Sequence, residues 1–143
     1  MGILDKLKFH ALDSVGAVAG IIEKWAPTGC KTEKQYENSL YLVLHAELGD
    51  VQVTKQYAKG RIHADLVVDD KVIIELKHNL DSTAKFQRLV GQVESYKEWN
   101  GRVIILLTGT TEPNLRKQLD RHVETLNEGW IFLSGGKVNI VQK

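Results

Sequence analysis

The sequence predicts an α/β fold, a mixed β-sheet flanked by helices, and three observations carry that expectation. Residues 64–77 hold two Val/Ile/Leu-rich runs separated by Asp69-Asp70-Lys71, the signature of a β-hairpin. Residues 103–107 form a continuous apolar run of the kind found in a central strand covered on both faces. Elsewhere apolar residues recur at three- and four-residue steps, which is the helical period. A strand, a helix and a second strand in this order imply a βαβ crossover, so parallel and antiparallel pairs should share one sheet.

In chain order, Leu4, Leu7, Ala11, Val15, Val18, Ile22 and Trp25 make one amphipathic stripe, weakened at Gly16 and Gly20 and ended by Ala26-Pro27-Thr28-Gly29. Residues 1–28 are thus expected to be a helical extension to a domain of residues 29–143. The stripe is destined for the domain's own core or for a second subunit, which would make a homodimer or a larger assembly. Its polar face mixes Asp5, Lys6, Lys8, Asp13 and Glu23, which argues against a membrane surface.

Thr32 and Gln35 form a capping box that opens a helix to about Leu48, with Tyr36, Leu40, Val43, Leu44 and Leu48 on its buried side and Glu37 one position off it. A strand over residues 51–57 leads to a Gly60 turn, around which stand Lys55, Lys59 and Arg61. After the hairpin, Asp81 or Ser82 caps a helix to about Trp99, lined by Phe86, Leu89, Val90, Val93 and Trp99. Arg88, Gln92 and Tyr96 stand at four-residue steps and share a direction. Pro113 suits a first helical turn, and Leu115, Leu119, Val123 and Leu126 line the helix that follows. Residues 130–133 and 137–141 read as two edge strands joined through Ser134-Gly135-Gly136.

Within the hairpin, a three-residue loop pairs Val68 with Val72, Leu66 with Ile74 and Asp65 with Glu75. One face then carries Leu66, Val68, Val72, Ile74 and Leu76, and the other gathers Asp65, Glu75 and Lys77. A two-residue loop would put the carboxylates on opposite faces, and the clean apolar face favours the longer loop. Two carboxylates among aliphatic side chains are costly to dehydrate unless something compensates them. Mg²⁺ would, because it takes one or two carboxylates and fills its other positions with water and phosphate oxygens. Lys77 would sit beside an attacking water, able to orient it or accept its proton. The alternative is a surface hairpin with one cross-strand ion pair. Spacing does not choose between them.

Composition sets wider bounds. At 143 residues the chain is one domain with room for a real core. Its 43% hydrophobic and 26% charged content is that of a globular protein, and with a net charge of +1 any attraction for nucleic acid must be local. Cys30 is the single cysteine, which excludes an internal disulfide and a Cys-based zinc site and suits a reducing cytoplasm. His63 and His78 are too few and scattered for a zinc cluster and are at most substrate contacts. No apolar run reaches membrane-span length. Residues 14–22 are long enough for a signal-peptide core, but Asp5 and Asp13 precede them and no small-residue cleavage site follows.

Ala64-Asp65 followed by Glu75-Leu76-Lys77 resembles the PD-(D/E)xK nuclease superfamily, with Ala64 replacing the Pro of its name. Gly60-Arg61-Ile62-His63 resembles the approach to the catalytic Asp in Holliday-junction resolvases. Tyr36-Glu37 is similar to their N-terminal helix glutamate, and Gln92-Val93-Glu94-Ser95-Tyr96 to the QxxxY helix of recombination-type nucleases. The resemblance covers residues 33–107. It implies a restriction-endonuclease-like domain that hydrolyses phosphodiester bonds of DNA in repair, recombination or restriction, with Mg²⁺, or Mn²⁺ in its place, held by Asp65, Glu75 and the Leu76 carbonyl. Lys77 would handle the water, Glu37 would act through water, Gln92 would orient, and Tyr96 and Arg88 would contact the nucleic-acid backbone. Lys55, Lys59 and Arg61 would then be phosphate contacts, where without it they are as well read as a solvated turn. The alternative in function is a nucleic-acid-binding or regulatory domain that keeps the fold without turnover.

Overall fold

The computed structural model describes residues 14–130 and 136–143. Its elements run α1 (Ser14–Lys24), α2 (Glu33–Leu48), β1 (Val53–Lys59), β2 (Ile62–Val68), β3 (Val72–Leu80), α3 (Thr83–Ser95), β4 (Arg102–Thr111), α4 (Pro113–Asn127) and β5 (Val138–Gln142). The five strands form one sheet in the order β1-β2-β3-β4-β5. The first three are antiparallel, whereas β3-β4 and β4-β5 are parallel, each linked through a helix. This is the mixed α/β sheet expected.

Alternation along the strands divides the core in two. Leu66, Val68, Val72, Ile74, Leu76, Ile104 and Leu106 face α1 and α2. Val67, Ile73, Val103, Ile105 and Leu107 face α3 and α4. The run over residues 103–107 is buried on both sides, which is why it shows no alternation of its own. Val15, Val18, Ile22 and Trp25 lie in the first cluster with Leu40, Leu44 and Leu48, so the described part of the N-terminal stripe is spent inside the domain's own core. The Trp25 indole also donates to Ser39 Oγ at 3.1 Å. Leu4, Leu7 and Ala11 lie outside the described residues.

Helix boundaries follow their caps. Thr32 accepts from Gln35 N while the Gln35 side chain reaches back to the Thr32 amide, the reciprocal box expected. Ser82, with Lys85 N on its side chain, caps α3, and Glu112 caps α4 through Asn114 N and Leu115 N ahead of Pro113. The helix expected to reach Trp99 stops at Ser95 and tightens to a 3₁₀ turn over Tyr96–Glu98. That turn carries Tyr96 into the core. Of the two C-terminal strands, the second is β5, parallel to β4. Residues 131–133 of the first, and Ser134 and Gly135 of the turn between them, lie outside the described residues.

Candidate active site at the splayed hairpin

The β2-β3 hairpin has the three-residue loop expected, with Val68, Val67 and Leu66 opposite Val72, Ile73 and Ile74. Asp69 and Asp70 both adopt left-handed φ, and Lys71 N bonds to Val68 O at 3.0 Å, a turn that matches the twist of the strands. The ladder stops short of the expected Asp65–Glu75 pair. There the Asp65 side chain takes over, and its Oδ2 accepts from Leu76 N at 2.8 Å. On the other side of β2, the β1 ladder passes from Lys55–Leu66 to Tyr57–Ala64 and leaves out Gln56, which lies opposite Asp65. Gln56 has φ +50°, a strained conformation for a residue with a side chain. Asp65 thus sits where pairing lapses on both flanks, and the strands part around its carboxylate.

Two further carboxylates are coupled to Asp65 at this opening. Glu37, on α2, is buried and accepts a hydrogen bond from Gln56 Nε2. Burial, then repulsion from Asp65, holds its pKa above the ordinary value. Asp65 is also raised, chiefly by burial, against which the Leu76 amide works. Glu75, only 1% exposed, is pushed up to about 8 by burial and then by Asp65. Each carboxyl therefore resists ionising next to its neighbour in a poorly hydrated place.

Tyr96 closes the inner wall. Its Oη lies 2.6 Å from Glu75 Oε2 and 2.7 Å from the His63 carbonyl oxygen. The Tyr96 hydroxyl is the donor toward both oxygens, and its hydrogen bond works against the burial and the Asp65 charge that raise the Glu75 pKa. Tyr96 was expected to contact a nucleic-acid backbone; it is instead buried at 1% exposure with its hydroxyl used internally, because the helix tightens just where it begins.

Lys77 shares the Glu75 face of β3, as the pleat requires, and its side chain is 15% exposed. Its ammonium lies 3.7 Å from Glu33 Oε1, and that oxygen also accepts from His78 N at 2.9 Å. Glu33 therefore ties the start of α2 to β3 and holds the lysine. Neither Glu33 nor Gln56 was singled out from sequence. The signals were present: Glu33 is one turn before Glu37 on the same helix, and a hairpin centred on Gly60 sets Gln56 across from Asp65.

The other expected residues are placed unevenly. Gln92 is half-buried on α3 and Arg88 is exposed one turn before it. Lys59 and Arg61 flank Gly60, which has φ +60°, and are exposed. Lys55 is not part of that turn. It is mid-strand in β1, its ammonium 4.8 Å from the Tyr41 ring centre and 3.3 Å from Asn38 Oδ1. His63 contributes its carbonyl, while His78 Nδ1 lies 2.9 Å from Thr108 Oγ1 with its ring against Tyr36.

For a hard divalent cation the donor chemistry fits: two buried carboxylates, Glu75 raised in part by the Asp65 charge, whose cost of ionisation a cation would relieve, with the Leu76 carbonyl on the same strand. Among the described residues no group of three or more His, Cys, Asp and Glu side chains is placed to hold a metal ion. Mg²⁺ does not need so many, because it keeps several waters. No described helix is long and apolar enough to cross a membrane.

No family model matches the chain, and no curated protein does. Among solved structures, the chain is similar to that of Pyrococcus furiosus SfsA in complex with Ca²⁺, with TM-score 0.46 and 13% identity over 76% of this chain and 54% of that one. The chain thus spans about half the length of that protein.

Proposed function

We propose that the protein is a Mg²⁺-dependent nuclease that hydrolyses phosphodiester bonds of DNA, built as a restriction-endonuclease-like domain. The observation that carries this is Asp65 at a break in the sheet, with Glu75 and Glu37 each coupled to it and Lys77 on the Glu75 face. A structural ion pair would not leave several carboxyls raised by burial, two of them further raised by Asp65, and such a cost is retained where function needs it. Asp65 and Glu75, with the Leu76 carbonyl, would hold the ion. When bound, it would supply charge at the phosphoryl oxygen and acidify a water. Lys77 would orient the attacking water as a hydrogen-bond donor while it is an ammonium, and only its neutral amine form would take the water's proton; Glu33 fixes where the group stands. Tyr96 keeps Glu75 from rotating away. Glu37, steadied by Gln56, orders water at the edge of the site, and Gln92 orients water or phosphate. Lys55, Lys59, Arg61 and Arg88 would steady the phosphate backbone.

Cleavage of linear, nicked, branched and single-stranded DNA, each with Mg²⁺ or Mn²⁺, tests this. Turnover on at least one substrate is expected, lost in chelator and reduced by several orders of magnitude in Lys77→Ala and in Asp65→Ala. Undiminished cleavage in both variants would remove these residues from the chemistry, and no cleavage anywhere would favour a binding domain without turnover.

A further inference from the structure

The outer surface of α2 carries a feature that catalysis does not use. Lys34, Asn38, Tyr41 and His45 recur at steps of four, three and four, so they form one stripe along the helix. The three glutamates of α2 all lie off it: Glu33 engages β3, Glu37 is buried in the site, and Glu47 lines a cavity of about 410 Å³ between α1 and α2. Lys55 arrives from β1, over the Tyr41 ring and donating to Asn38. The Tyr41 and His45 rings are stacked, 9° from parallel with centres 5.8 Å apart, and His45 is exposed at the end of the stack. Leu42 beside them is 64% exposed. Among the described residues no ion pair engages Lys34 or Lys55. Both stand close enough to Glu37 to favour its charged form, so the stripe starts at the rim of the carboxylate site.

Cations outside any ion pair among the described residues, alternating with flat rings and with their nearest carboxylate, Glu37, buried beneath them, complement a chain that is anionic along its backbone and presents planar groups beside it. We propose that this stripe is a track for the single-stranded flank of a nucleic-acid substrate. Lys34 and Lys55 would take successive phosphates, and bases would continue the Tyr41–His45 stack against Leu42. A duplex hides its base faces and cannot use the rings. The proposal rests on the nuclease assignment for its biological sense, but binding can be measured without turnover.

The test is fluorescence anisotropy of the full chain in EDTA with a labelled oligothymidylate of about 12 nucleotides. A duplex of matched length and inorganic polyphosphate serve as competitors. The wild type should prefer the single strand. Lys34→Gln combined with Lys55→Gln should lower the salt slope by about 1.4, at roughly 0.7 per phosphate contact on a single strand. Tyr41→Ala and His45→Ala should each weaken oligonucleotide binding roughly tenfold and leave polyphosphate binding as it was. Tyr41→Phe and Lys55→Arg should bind like wild type, which separates lost contacts from lost folding. A wild type that prefers duplex or binds none of the three, variants that match wild type in slope and affinity, or ring removal that weakens polyphosphate equally would overturn the track. Because no metal is present, these outcomes are independent of whether the site cleaves.

Discussion

Glu75 is the residue on which most of the physics turns. In the folded protein its carboxyl holds a proton up to about pH 8, whereas the unfolded chain releases it near the ordinary 4.5. Between those values the native state binds more protons than the unfolded state, so stability is lost as pH rises through that window. Asp65 and Glu37 are shifted in the same direction and add to the trend. Without divalent metal, Tm should fall between about pH 5 and 8, and Glu75→Gln should flatten much of that slope while keeping a partner for Tyr96. A Tm that rises with pH over this range would contradict the burial and repulsion described. Glu33 and Lys77 offer a second residue-scale test. Glu33→Gln retains an acceptor for His78 N but loses the charge facing the ammonium. In a double-mutant cycle on cleavage, its effect should shrink by about 1 kcal/mol when Lys77 is already alanine. Additive effects would mean that Glu33 only fastens the helix.

The site is positioned by element ends. Glu33 and Glu37 ride on the first turns of α2, whose start is fixed by the Thr32–Gln35 box. Thr32→Ala should therefore cost about 1 kcal/mol in stability, measured by denaturant unfolding, and should weaken cleavage beyond what that loss explains. A neutral outcome would show that packing of Leu40, Leu44 and Leu48 alone sets the helix. At the β3-β4 pairing, Gly101 faces the Lys71 carbonyl and the Trp99 indole where a Cβ would stand. Gly101→Ala should lower the denaturation midpoint, since backbone, not a flexible side chain, must give way.

These elements also show what the sequence made legible. The hairpin register followed from one apolar face, because a single slip would have exposed every aliphatic residue on it. The capping box and the doubly buried strand were equally plain, each being local chemistry or local pattern. The interior role of Tyr96 was not, because the shift from α-helix to 3₁₀ turn depends on how α3 meets the sheet. Gln56 and Glu33 were missed for a related reason: their importance comes from partners 19 and 45 residues away. A polar residue in a strand or an exposed first turn gives no periodic signal of such a partner.

At the scale of the whole molecule, the two-layered core explains why the chemistry stands where it does. Helices cover both faces of the sheet, so the opening arises where strand pairing fails, around Asp65, and not at a surface loop. The described part of the N-terminal helix belongs to that core. Ile22→Ala should cost about 2–5 kcal/mol in global unfolding, as for Leu44→Ala, with a single cooperative transition. A separate early transition would mean that α1 is an independent appendage.

The central claim is that the raised carboxyls form a cation site, and calorimetric titration with Mn²⁺ at neutral pH tests it most directly. Run in buffers of different ionisation enthalpy, it should show one site per chain and release of about one proton, the one Glu75 holds, with the heat abolished in Asp65→Asn. No heat at millimolar metal, or binding without proton release that survives Asp65→Asn, would contradict it.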